Sequence, residues 1–286
     1  MCLIVNPSAG GGRAARLLPA VEAALRERGL RFRVERTTSM EHARELARSA
    51  CDAGEIAAAM GGDGLTGAVA GELQGTRGLL AILPGGRGND FARKLGIGAD
   101  PAAACEHIVS GRELQLDVAR AGERVFIGIL SAGIDSEVNR IANATRLKLG
   151  TLVYLYGDLR ALASWRPAQW TVEVDGERRS FAGYSVAVAN SGIFGGGMRL
   201  VPDASLEDGL LDVVLIEDRP RWRYLSGLTK VFSGKHVDDP GLQFIRGRRV
   251  SITADRPFTA YADGDPIVDL PATIDVIPRA LRVLAP

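Results

Sequence analysis

Two glycine-rich turns about twenty residues apart constrain this chain more than any other feature. The first is Gly61-Gly62-Asp63-Gly64-Leu65 and the second is Leu83-Pro84-Gly85-Gly86-Arg87-Gly88-Asn89-Asp90. An apolar run precedes each, over 55–60 and 78–82, and a helical pattern follows each. A strand that turns through glycines into a helix presents bare backbone N–H groups at the positive helix end, where phosphate binds well. Two such turns on one sheet can embrace one polyphosphate. Each also carries an acid, Asp63 or Asp90, suited to holding a cation or a hydroxyl beside the phosphate.

The surrounding pattern alternates strand and helix through the first 115 residues. Strands are expected at 3–5, 31–36, 56–60 and 79–83. Helices are expected at 14–28, 41–53, 66–73 and 101–109, with a short one ending near Leu95. Such a βαβ order predicts a mostly parallel sheet covered on both faces. Sheets of this kind bind ligands at the carboxyl ends of their strands, where the glycine turns lie. A third turn, Asn6-Pro7-Ser8-Ala9-Gly10-Gly11-Gly12-Arg13, follows the first strand. It lacks the Lys-Ser/Thr ending of a Walker loop and the GxGxxG spacing of a dinucleotide fold, so both are disfavoured.

From about Leu114 short alternating strands dominate, at 115–119, 124–130, 169–174, 185–190, 211–216, 249–254 and 273–276. Helical inserts are expected at 142–165 and 221–234. The chain therefore divides into an α/β domain, 1–115, and a β-rich domain, 116–279, with a tail, 280–286, that can return to the first.

With 286 residues, two domains of ordinary size fit. A net charge of +1 gives no long-range argument for nucleic acid. Cys2, Cys51 and Cys105 are odd in number and widely spaced, and His42, His107 and His236 are scattered, so a zinc site is disfavoured. No signal peptide is evident, and the longest apolar stretches fall short of a membrane span. A cytoplasmic protein without a transmembrane segment is expected. If it acts on lipid, it does so at the inner face of the membrane.

Read in order, these motifs resemble those of the diacylglycerol kinase catalytic-domain family. Asn6-Pro7, Gly61-Gly62-Asp63-Gly64 and the run from Leu83 to Arg93 match its first half. Asn190, Gly195-Gly196-Gly197-Met198, Pro202-Asp203-Ala204, Asp208-Gly209-Leu210-Leu211-Asp212-Val213 and Tyr261-Ala262-Asp263-Gly264-Asp265-Pro266 match its second. The resemblance implies a doubly wound nucleotide domain similar to NAD kinase and phosphofructokinase, a β-sandwich, and an active site in the cleft between them. It implies an ATP- and Mg2+-dependent lipid kinase acting on diacylglycerol or a similar lipid alcohol at the membrane surface. A sphingoid-type lipid kinase and a non-catalytic nucleotide or lipid binder are the alternatives, and a homodimer is left open.

By the same resemblance, Asn6, Thr37, Gly61, Gly62, Asp63, Gly64, Leu65, Thr66, Arg87, Asn89 and Asp90 contact ATP or its phosphates. Asp63, Asp90, Asp117 and Asp263 form an acidic network around the phosphates and magnesium. Asp208, with the carbonyls of Ser205 and Leu210, holds a structural magnesium ion. The general base is Asp265 or Asp63. Leu65 and Arg87 stand where the family usually has threonine, and Asp265 where most bacterial relatives have glutamate. On the acceptor side, the apolar segment 147–165 is compatible with a lipid entry lip. Arg219-Pro220-Arg221-Trp222-Arg223-Tyr224 mixes cations and aromatics in a pattern that suits an anionic interface.

Overall fold

The computed structural model describes residues 1–134, 136, 162 and 165–286. The expected insert at 142–165 and the apolar lip at 147–165 lie outside these, apart from Leu162 and Trp165. The chain forms two compact units, one of Met1–Val118 with Ile277–Pro286, the other of Ala119–Val276.

The first unit runs β1 (Cys2–Val5), α1 (Ala9–Glu27), β2 (Arg33–Arg36), α2 (Met40–Asp52), β3 (Ile56–Gly61), α3 (Asp63–Leu73), β4 (Leu79–Pro84), α4 (Asp90–Lys94), α5 (Pro101–Ala104) and α6 (Glu106–Ser110). Its strands lie in the order β4-β3-β1-β2, all parallel. Ala57, Ala58, Ala59 and Met60 of β3 are fully buried. That run lacks alternation because a parallel strand is covered on both faces, and the small alanines let the covering helices approach. In α1 the first turn is irregular: Gly10, Gly11 and Gly12 have φ of 61°, 68° and 87°. The expected helix at 101–109 is instead the pair α5 and α6.

The second unit takes in β5 (Arg112–Ala121), β6 (Arg124–Phe126), β7 (Ile129–Gly133), β8 (Ala168–Val174), β9 (Glu177–Ala189), β10 (Ile193–Phe194), β11 (Met198–Arg199), β12 (Leu211–Glu217), α7 (Arg221–Val231), β13 (Leu242–Gly247), β14 (Arg249–Ala254), β15 (Thr259–Ala262), β16 (Asp265–Asp269) and β17 (Ala272–Ala285). Strands β5 and β17 begin in one unit and end in the other. The far end of β17 pairs in parallel with β4 through Arg282 and Val283, adding a fifth strand to the first unit's sheet.

Strand β9 organises the second unit. Its first half pairs with β8, and its second half pairs with both β7 and β12. Side chains alternate faces along a strand, and two apolar clusters follow that alternation. Val186 and Val188 join Val213, Leu215, Trp170, Ile252 and Ile274 in one core. Ala187 and Ala189 join Val214, Ile216, Tyr184 and Tyr224 in the other, which lies against α7. Trp170, the largest fully buried side chain, donates its indole N–H to the Gly183 carbonyl at 3.1 Å.

Candidate functional site

In the first unit, the two glycine turns meet backbone to backbone. The N–H groups of Gly85 and Gly86 both donate to the Gly61 carbonyl, at 2.7 and 2.9 Å. A Cβ on Gly86 would lie 2.4 Å from the Gly62 Cα, so no other residue fits there. The loop after β1 closes on the same point: Arg13 reaches the carbonyls of Gly86 and Ala99, at 3.4 and 2.9 Å. Asn6 accepts the N–H and hydroxyl of Ser8, and its own N–H donates to the Met60 carbonyl.

The sequence treats the two turns alike, but the structure distinguishes them. Asp63 Oδ1 accepts the Phe91 N–H at 3.1 Å, so a carboxylate already answers the positive end of α4. Helix α3 begins at Gly62 with no side-chain cap. Its first turn offers helix-end potential to an anion, shared with the Asp63 carboxylate that lies in the same turn. Asn89, left-handed at φ 53°, holds the second turn by accepting from Gly86 N–H and donating to Gly86 O.

Asp63 and Asp90 converge on Gly88. A Cβ there would lie 3.0 Å from Asp63 Oδ2 and 3.2 Å from Asp90 Oδ2. Burial pushes the Asp63 carboxyl above the ordinary carboxylate range, against the opposite pull of N–H groups from Phe91, Asp90 and Asn89. Two hard-oxygen carboxylates beside one glycine, both poorly solvated, fit a magnesium ion arriving with a triphosphate.

The remaining nucleotide candidates divide by exposure. Arg87 is exposed, whereas Thr37 and Thr66 are buried. Thr66 donates its hydroxyl to the Gly62 carbonyl at 3.2 Å. The Leu65 side chain is buried beneath Gly61, which leaves Gly64 and the backbone of this loop to face a phosphate. Asp117 is fully buried and accepts the Arg279 N–H at 2.8 Å, fixing β17 at a residue with φ 53°. Burial pushes the Cys2 and Cys105 thiols up to about 11, which disfavours either as a nucleophile.

In the second unit, Asp263 and Gly264 form the two-residue turn between β15 and β16, with φ of 53° and 93°. Asp263 Oδ2 accepts the Ile127 N–H at 3.2 Å, and Oδ1 fills the space where a Gly128 Cβ would stand. This insertion explains why the strand expected at 124–130 is broken into β6 and β7. Asp265 opens β16 with its side chain exposed.

The Asp208 loop does not fit a structural magnesium ion as it stands. One carboxylate oxygen pairs with the Arg246 guanidinium and the other accepts the Leu210 N–H at 3.0 Å. Arg246 also pairs with Asp212 at 3.0 Å. Ser205 Oγ accepts the Glu207 N–H at 3.2 Å. Among the described residues no group of three or more His, Cys, Asp or Glu side chains could hold a metal.

Sequence reasoning missed an apolar cavity of about 60 Å³ in this unit, between β7, β9, β12 and α7. It is several times the ~10–15 Å³ in which one water fits. Ile129, Ala187, Ile216, Leu228 and Val231 line it, with Arg219 and His236 among them. His236 Nε2 bonds the Leu200 carbonyl at 2.8 Å, while His236 Nδ1 and Arg219 Nε have no hydrogen-bond partner among the described residues.

Comparison with known proteins decides the family. Residues 1–121 match the diacylglycerol kinase catalytic domain, and residues 128–285 match the YegS C-terminal NAD kinase beta sandwich-like domain. A diacylglycerol kinase of Mycobacterium tuberculosis is 33% identical over 99% of this chain and 94% of its own length. The chain belongs to the diacylglycerol kinase catalytic-domain family. A diacylglycerol kinase of Bacillus subtilis is 27% identical over 99% of this chain and 95% of its own. Two crystal structures from Bacillus anthracis cover the whole chain, with TM-scores of 0.84 and 0.74 at 21% and 19% identity and 94% and 96% of their own lengths. They share the fold of this chain.

Proposed function

We propose that the protein is an ATP- and magnesium-dependent kinase that phosphorylates the hydroxyl of a lipid alcohol, with diacylglycerol as the first candidate. The observation that carries this reading is the pair of glycine turns locked through Gly61, Gly85 and Gly86, with Asp63 and Asp90 beside them. Phosphoryl transfer asks chiefly for positioning and charge neutralisation. The uncapped start of α3 positions the phosphates, and the exposed Arg87 supplies a forked cation in place of a threonine hydroxyl. Magnesium bound with the nucleotide would be held by Asp63 and Asp90 and would neutralise phosphate charge.

Two carboxylates suit the role of proton acceptor. Burial raises the Asp63 pKa, which favours its taking a proton. Asp265 is exposed at the start of the hairpin's second strand. On the acceptor side, the apolar cavity beneath α7 offers a place for part of an acyl chain. The relatives named diacylglycerol kinase, and a Klebsiella pneumoniae relative named a probable lipid kinase YegS-like at 29% identity, support a lipid acceptor.

The test is transfer of labelled phosphate from ATP to diacylglycerol, monoacylglycerol, sphingosine and ceramide in mixed micelles, with Asp63→Asn and Asp265→Asn beside the native chain. Transfer to one lipid, lost in one or both variants, supports the reading, and loss in one variant alone assigns the base. Bound ATP without transfer to any of the four overturns it.

A further inference from the structure

Helix α7 has two unlike faces. At 3.6 residues per turn, Tyr224 and Val231 fall on one side and are buried, with Gly227 and Leu228 beside them lining the apolar cavity. Trp222 and Thr229 fall on the other, and Phe232, about 80° round the helix from Trp222, lies at the edge between the two faces. Phe232 caps the helix and still has helical φ and ψ of −63° and −30°. Trp222 is 65% exposed and Phe232 is 55% exposed. A single exposed apolar residue is ordinary, but this is a concentration. Of five large apolar side chains exposed among the described residues, four lie between 222 and 244: Trp222, Phe232, Val237 and Phe244.

Cations frame that face. Between Asp218 and Asp238 the sequence has five basic residues and no acid. Arg223 and Lys230 project from one flank of the outer stripe and Arg221 from the other, with Lys235 just beyond the helix; all four are exposed. The Arg223 guanidinium lies 5.3 Å from the centre of the Trp222 ring. The fifth cation, Arg219, is not part of this surface. Its side chain is only 8% exposed, paired with Asp239 at 3.0 Å and bonded to the Gly241 carbonyl. Tyr224 is also withdrawn, stacked on Tyr184 with ring centres 5.0 Å apart. The structure thus splits the segment 219–224 into inward and outward halves, with Phe232 exposed at the edge of the outward one.

We infer that this outer face of α7 docks on an anionic phospholipid bilayer. Aromatic side chains flanked by cations on a helix whose other side packs on the protein are the chemistry of an interfacial helix. The inference deepens the proposed lipid-kinase function by naming the surface that meets the substrate's membrane. The binding itself requires no turnover.

The test is flotation with vesicles of phosphatidylcholine alone and with 30% phosphatidylglycerol, as about a one-third anionic surface. The native protein is expected to bind the anionic vesicles at least tenfold more tightly, with salt weakening the binding. Trp222→Ser/Phe232→Ser is expected to lose at least tenfold in binding while melting at the native temperature. An absence of native binding to anionic vesicles, or a folded double variant that floats as well as the native chain, overturns the inference. Native vesicle binding without phosphate transfer to any lipid alcohol removes the kinase reading and leaves this one standing.

Discussion

Asp63, in the first turn of one helix, accepts the backbone N–H of Phe91 in the first turn of another, at 3.1 Å. One carboxylate therefore ties together two turns that lie far apart in sequence. It does so at a cost, because burial raises its pKa. The stability that goes with its protonated form is present below the ordinary carboxylate pKa and is lost as pH rises through the raised value. At neutral pH the ionised group is a burden on the fold.

Asp63→Asn keeps an acceptor for Phe91 and removes that burden. The variant is expected to melt at or above the native temperature at pH 7, with the gap closing as pH falls through the raised pKa of the native carboxyl. Phosphate transfer is expected to fall at least a hundredfold, the scale of a lost general base or charge-holding group. Calorimetry across pH checks the first point. A variant less stable by the same margin at every pH would contradict it.

Gly86 and Gly64 separate folding from binding. A methyl group on Gly86 meets the Gly62 backbone, so Gly86→Ala is expected to cost about 1–3 kcal/mol. Gly64 has nothing within 4 Å of its Cβ position and lies inside α3. Gly64→Ala is expected to be neutral or to stabilise by about 0.5–1 kcal/mol, while weakening ATP binding by crowding the phosphate face. Urea unfolding with ATP titration distinguishes the two.

Gly128 makes room for Asp263, whose Oδ1 would lie 2.0 Å from a Cβ there. Gly128→Ala is expected to push Asp263 off the Ile127 N–H and shift the hairpin that carries Asp265. Destabilisation of about 1–3 kcal/mol, with a loss of transfer exceeding the loss of stability, is the expected result from paired unfolding and activity measurements.

Arg246 occupies the loop in which the family resemblance implies a magnesium ion. Arg246→Ala leaves Asp208 and Asp212 without a guanidinium, at a cost of about 1–2 kcal/mol for a partly exposed pair of contacts. Millimolar magnesium is expected to raise the melting temperature of this variant more than that of the native chain. Equal responses would show that the loop takes no cation even when Arg246 is gone.

Much of this was legible in the sequence because the signals are local. Glycines after apolar runs mark the strand-to-helix turns at Gly61 and Gly85, an apolar run marks β12 and alternation marks β14. The Asp175-Gly176 and Asp263-Gly264 turns lie where their chemistry puts them. What was not legible depends on partners distant in the chain. The burial of Arg219 depends on Asp239, the break at Ile127 and Gly128 depends on the Asp263 side chain, and the fate of Asp208 depends on Arg246. The unlike roles of the two glycine turns follow from Asp63 capping α4, which no periodicity encodes. The cavity beneath α7 comes from three strands and a helix that the sequence does not place together.

The central claim is that the two glycine turns form one phosphate site. Hydrogen–deuterium exchange of the native protein, with and without ATP and magnesium, tests it most directly. The account predicts slowed exchange over 61–66 and 85–90 on adding nucleotide, with β8 and β14 unchanged. Nucleotide that leaves exchange in both turns unaltered, or protects only the second unit, would contradict it.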